Sequence, residues 1–154
     1  MTEGKIYLSK LQENDLVKID STDLIEGAFS FSGKVDSPDL YYIEIQGKRT
    51  PIQIFLENSK ITVTASLENL NDAKIEGSAN QTVYDSFVAS QKEFQQKQKA
   101  LYEEYKKASE AQNQTAVDSI EAIYDQLDAD KMTASKEFVK ANPNSVAAGF
   151  IAYR

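Results

Sequence analysis

The chain has 154 residues, 41% hydrophobic and 10% aromatic, enough to bury the core of one ordinary domain or two small ones. Its net charge of −7, from 24 acidic and 17 basic residues, argues against duplex nucleic acid or an anionic membrane as partner, because phosphate binding draws on clustered Lys and Arg. Cys, His and Trp are absent, which excludes thiolate zinc sites, Cys-x-x-Cys redox chemistry, disulfides, His-based triads and His-ligated haem within these residues.

The opening, MTEGKIYLSK, lacks a cationic segment followed by an apolar one and does not read as a secretory signal. No apolar run is long enough to span a bilayer. From Lys5 to about Gly77 the pattern has period two. Ile6 and Leu8 alternate with Lys5 and Tyr7, Val17 and Ile19 with Lys18, and Phe29 and Phe31 with Ser30 and Ser32. Tyr41, Ile43 and Ile45 oppose Tyr42, Glu44 and Gln46, and Ile52, Ile54 and Leu56 oppose Gln53, Phe55 and Glu57. Ile61, Val63 and Ala65 follow, then a short strand over residues 73–75. Turn formers at residues 12–15, 26–27, 37–39, 46–49, 58–59 and 69–72 leave no room for a crossover helix. The expectation is an antiparallel meander of about seven strands, as a small sandwich or a curled sheet. Tyr7, Tyr42 and Phe55 lie on the alternate face and are expected to receive the helices that follow.

After Gly77 the period changes. Ser78 or Asn80 can cap a helix with apolar or seam positions at Tyr84, Phe87/Val88, Gln91, Phe94, Gln98, Leu101, Tyr105 and Ala108. A second run reads Val117, Ile120, Tyr124, Leu127, Lys131, Ala134, Phe138 and Ala141. Spacing of three and four on both predicts an antiparallel helical hairpin joined at residues 112–114, with Thr115 as N-cap. Asn142-Pro143 breaks the second helix, and a short helix restarts over residues 146–153. The fold class is therefore α+β: an antiparallel β domain over 1–78, a helical hairpin over 79–141, and a helical linker over 142–154. An apolar ending, Phe150-Ile151-Ala152-Tyr153, leads to the expectation that the natural protein continues.

Carboxylates are the only candidates for chemistry. Asp118, Glu121 and Asp125 share a helix flank, without the glycine turn of a calcium loop, and read as a solvated acidic stripe. Asp20 with Asp23, or Asp36 with Asp39, could be drawn as an acid–base pair, but each is expected in a turn, where Asp accepts backbone N–H groups. Asn80-Gln81-Thr82 and Asn113-Gln114-Thr115 match the glycosylation sequon at positions where they also serve as caps. No catalytic, cofactor-binding or metal-binding residue is assigned.

One resemblance rests on these pieces together. The strand at residues 4–8, Asp20-Ser21, and Gly27-Ala28-Phe29-Ser30-Phe31-Ser32-Gly33-Lys34-Val35 with Pro38 and Tyr41 belong to it. So do Phe55-Leu56-Glu57-Asn58 before Ile61-Thr62-Val63, Ile75-Glu76-Gly77-Ser78, Asn80, residues 84–87 and Asn142-Pro143-Asn144-Ser145. This order resembles the N-terminal domain of unknown function that precedes a thioredoxin-like half in bacterial thiol-disulfide oxidoreductases. Ser59 stands where that family tends to have glycine, and the family's Trp-Cys-x-x-Cys segment is absent, so no catalytic residue carries over. The resemblance implies an envelope or periplasmic protein, often lipid-anchored. These residues would form its accessory region, for docking or dimerisation, with the thioredoxin-like domain and protein disulfides as partners and no cofactor of their own. A free-standing adhesin-like or solute-binding envelope lipoprotein domain and a carboxylate hydrolase are the rival readings.

Overall fold

The computed structural model describes residues 3–153. The chain divides into two compact units, one ending at Thr82 and the other beginning at Val83.

The first unit contains β1 (Gly4–Gln12), β2 (Asp15–Leu24), β3 (Asp39–Ile45), β4 (Ile52–Leu56), β5 (Thr62–Ser66) and β6 (Asn69–Glu76). The first four form an antiparallel sheet in the order β2-β1-β3-β4, and β5 and β6 form a separate hairpin. Strand alternation directs Ile6, Ile43, Ile45, Ile52 and Ile54 to one face, where they pack with Leu24 and with Leu70 of β6. Burying each such side chain stabilises the fold by roughly 1.5–3 kcal/mol. Val63, Ala73 and Ile75 of the hairpin pack against the same cluster. The β unit is thus a half-sandwich, with the small hairpin covering part of the larger sheet.

One expectation needs correction. The sheet is not a simple meander, because β3 pairs with β1 and leaves β2 at the edge. The described residues hold six strands, close to the expected count of about seven: Phe29 and Phe31 pack against the core, but residues 29–35 join no ladder. A tight turn begins this departure, with reciprocal backbone bonds of 2.9 Å between Ile25 and Ala28 and positive φ at Glu26 (51°) and Gly27 (80°). Instead of zipping onto β2, the chain carries the two rings, edge to face at 6.0 Å, against the core. Burial rather than backbone pairing sets the alternation of this stretch.

β2 also contains a bulge. Leu8 pairs with Asp20 while Ser9 pairs with Lys18, so Ile19 is an extra residue with no partner in the register.

The helices are α1 (Ala79–Glu110), α2 (Gln114–Ala141) and α3 (Val146–Tyr153). At 1.5 Å per residue, α1 and α2 are about 48 and 42 Å long. Ser78 caps α1, accepting a 3.0 Å bond from the Gln81 N–H. Within the second unit, the Phe87 and Phe138 rings meet at 5.3 Å. Further along α1, Gln98 Nε2 donates to Asp128 Oδ1 at 2.9 Å, a residue earlier in α2 than Phe138, so the helices run antiparallel. The expected seams are the less exposed positions: Gln91, Val117, Ile120 and Leu127 are buried, and most of the others are half-buried. Val88, 48% exposed, Tyr105, 38% exposed, and Ala141 depart from this pattern.

α1 ends in a Schellman arrangement: Gln112 takes φ 53°, the Asn113 N–H reaches Ala108 O, and the Gln112 N–H reaches Ser109 O. The cap of α2 is Asn113, whose side chain accepts from Ala116 N, and not Thr115, which lies inside the helix. α3 packs beside the start of the hairpin, with Tyr84 and Phe150 at 6.2 Å. No described helix is long and apolar enough to cross a membrane.

Candidate functional site

Two features of the β unit concentrate chemistry: a junction at the end of β4 and the free edge of β2.

The junction is built by Phe55, Glu57, Asn58 and Ser59 and the turn into α1. Phe55 is fully buried on the face opposite the aliphatic core, and its N–H donates to Gln81 Oε1 at 3.0 Å. The outer edge of β4 is thereby engaged by a side chain from the first turn of α1. Of the three residues expected on this face to receive the helices, Phe55 is the one in which the described contacts show such a link. Tyr7 instead carries the Lys18 ammonium over its ring, 3.6 Å from the centroid. Ser9, also fully buried, donates to the Glu44 carboxylate.

Glu57 grips the start of α1 with both oxygens. Oε1 accepts from the Ala79 N–H and Oε2 from Asn80 Nδ2 at 2.6 Å. A carboxylate here also meets the positive end of the helix dipole. Next, Asn58 acts as a surrogate strand: its Oδ1 accepts from Val35 N at 2.9 Å and its Nδ2 donates to Val35 O at 2.7 Å. Ser59 Oγ donates to Gly77 O at 2.8 Å. Gly77 has φ +94°, and a Cβ there would lie 2.1 Å from Lys60 O. Glycine is required at that position both by its conformation and by the close approach of the neighbouring backbone. These residues therefore anchor structure; none aims a free nucleophile or base at an open site.

β2 is different. It forms one edge of the four-stranded sheet, and its residues are exposed up to Thr22. Ile19 is 52% and Ile25 65% exposed. A shallow open groove of ≈ 420 Å³ lies where β2 and the departing chain diverge, lined by Thr22, Asp23, Ile25, Ala28, Phe29 and Ser30.

The carboxylates do not converge. Among the described residues no group of three or more metal-ligating side chains comes together. Asp118 accepts from Gln114 and Asp130 from Gln126, each one helical turn away, and Asp128 is bonded by Gln98. Asp20 and Asp23 lie within β2, not in a turn, and their spacing of three sends them to opposite faces. Asp20 accepts from the Ser21 N–H at 2.7 Å, and Asp23 pairs with Lys5 at 2.7 Å. Asp39 pairs with Lys10 at 2.6 Å. Partial burial raises the Asp39 pKa, but the Lys10 hydrogen bond, the Leu40 N–H and the Lys10 charge together outweigh it and hold the group below its ordinary value.

Sequence reasoning missed the roles of Glu57 and Asn58. Their partners lie 22 and 23 residues away, and no local spacing signals such contacts.

The class these features define is a small two-sheet β unit whose turn motifs fasten the start of a long helix. Residues 1–84 match the model of a family described as a domain of unknown function (DUF4369), and the chain belongs to that family. The match spans the six strands and the junction and ends within α1. Searches of curated proteins and of solved structures gave no match.

Proposed function

We propose that this chain is the non-catalytic accessory region of a bacterial envelope thiol-disulfide oxidoreductase whose thioredoxin-like domain lies beyond these residues. The observation that carries the reading is the family match over the motifs from which the resemblance was drawn, Phe55-Leu56-Glu57-Asn58 and Gly77-Ser78. Within these motifs the Glu57, Asn58 and Ser78 side chains, with Gln81 on the Phe55 N–H, fasten β4, residue 35 and α1 to one another, which suits a rigid scaffold. In this reading the β unit presents a docking surface and the helices carry the redox domain, with protein disulfides as substrates and self-association as a second role. Export to the periplasm, with a lipid anchor, belongs to the same proposal.

The coding sequence past Arg154 tests it. An in-frame Trp-Cys-x-x-Cys segment is expected. A stop codon near Arg154 would overturn the reading in favour of a free-standing envelope binding domain. Light scattering on the longer protein tests the dimerising role, which a strict monomer would exclude.

A further inference from the structure

We propose that the outer edge of β2, along Asp20 to Leu24, takes a cationic extended peptide as an added strand. The turn at Ile25–Ala28 is of the kind that returns a chain alongside its own strand, with two positive-φ residues and reciprocal backbone bonds. The return is begun and not continued, because residues 29–35 leave to bury Phe29 and Phe31 and to reach Asn58. The position beside β2 that a hairpin partner would fill is therefore open, and the groove lies in the fork.

The backbone there is oriented to pair. Gln46 bonds Lys5 at both its N–H and its C=O, so Lys5 faces β3, while Ile6 and its register partner Thr22 face each other. Alternation then turns the backbone groups of Ser21 and Asp23 outward. Asp20 occupies the Ser21 N–H with its own carboxylate, a placeholder that an incoming carbonyl can displace.

Charge selects the occupant. Glu13, Asp15, Asp20, Asp23 and Glu26 stand along β2 and its two turns; of the cations beside them, Lys5 is paired with Asp23 and Lys18 is turned onto Tyr7, which leaves the row net acidic. A strand alternating basic and apolar residues complements that row and the exposed Ile25. A second copy of β2 does not. Self-pairing would set carboxylates against carboxylates and place the Ile19 bulge of each copy near the middle of the ladder.

The test is fluorescence anisotropy of a labelled peptide of about eight residues, alternating lysine and valine, titrated with the full chain; backbone pairing supplies affinity and the alternate side chains selectivity. Saturable binding in the micromolar range is expected, weakened on the order of tenfold or more in three cases. These are a glutamate–valine peptide, the lysine peptide N-methylated at alternate residues, and Ser21→Pro, which removes an N–H that points away from β1. The N-methylated peptide leaves the protein unaltered, so that arm holds whatever Ser21→Pro does to folding. No binding at about 1 mM, or equal binding of the acidic or N-methylated peptide, overturns the proposal. A doubled mass that Ser21→Pro abolishes also overturns it and gives the edge to a second copy. The inference does not rest on the redox reading, since the coding sequence decides that one and the titration decides this.

Discussion

Gly77→Ala is expected to be one of the most damaging single-methyl additions in the β unit, and Gly27→Ala supplies its control. Both positions have positive φ, 94° and 80°, so both variants bear the left-handed penalty of about 1–2 kcal/mol. Each recovers about 0.4–1 kcal/mol, because alanine narrows the unfolded ensemble. At Gly27 nothing lies within 4 Å of the added Cβ, leaving a net cost of about 1 kcal/mol. At Gly77 the Cβ would sit 2.1 Å from Lys60 O, where real contacts stay beyond 3.0 Å, and the obstacle is backbone that cannot rotate aside. Residues 59–61 must retreat by nearly an ångström, which threatens the 2.8 Å bond from Ser59 Oγ to Gly77 O. Overpacking of about 1–3 kcal/mol and a lost hydrogen bond of about 1 kcal/mol, added to the same conformational cost, bring the total to about 3–5 kcal/mol. With a urea slope of about 2 kcal/mol/M, denaturation followed by tyrosine fluorescence should show the midpoint lowered by roughly 1.5–2.5 M for Gly77→Ala and by about 0.5 M for Gly27→Ala. Equal midpoints for the two variants would refute the claim that close backbone approach, and not φ alone, fixes glycine at 77.

Other outcomes follow from the same contacts. Glu57→Gln keeps one acceptor but loses the charge at the helix start, and should lower stability by about 1–2 kcal/mol in thermal denaturation; no change would remove Glu57 from the anchoring role. Asn58→Ala deletes both bonds to Val35 and should cost about 1–3 kcal/mol, with amide exchange accelerating in residues 29–35. Unchanged exchange there would mean that Phe29 and Phe31 hold the segment unaided. The Lys10–Asp39 pair is more than a third exposed on both sides, so it is worth less than about 1 kcal/mol. Because the folded pKa of Asp39 is depressed, its contribution is present above about pH 4 and fades as pH falls through the folded value. The stability gap between wild type and Lys10→Met should accordingly close below that range, and a gap that persists at about pH 2.5 would contradict the pairing.

The helical hairpin was the most legible part of the sequence. Three-four spacing reports burial directly, and Phe87, Leu127 and Phe138 take the seam positions read for them. The strands were legible as strands, but their order was not, since alternation fixes which face is buried and says nothing about which neighbour bonds. Residues 29–35 show the limit: Phe29 and Phe31 alternate with serines as a strand would, yet they pack on the core without a ladder. The Ile19 bulge was equally hidden, because Val17-Lys18-Ile19 reads as unbroken alternation. The exposed β2 edge followed from β3 pairing with β1, a long-range choice that no local pattern encodes. Asp118, Glu121 and Asp125 stand exposed along α2, as a solvated stripe does, whereas Asp20 and Asp23, expected in a turn, lie within β2.

The Asn58 clamp bears on how the molecule ages. Asparagine amides are lost over time when the following backbone nitrogen attacks the side-chain carbonyl, and the carboxylate left behind would confront Val35 O with negative charge where a donor had been. In this fold the attacking nitrogen is engaged, since the Ser59 N–H donates to Glu57 O at 2.8 Å, and both ends of the Asn58 amide are held by Val35. The same tight turn that lets four residues fasten β4, residue 35 and α1 therefore also slows the chemistry that would undo them.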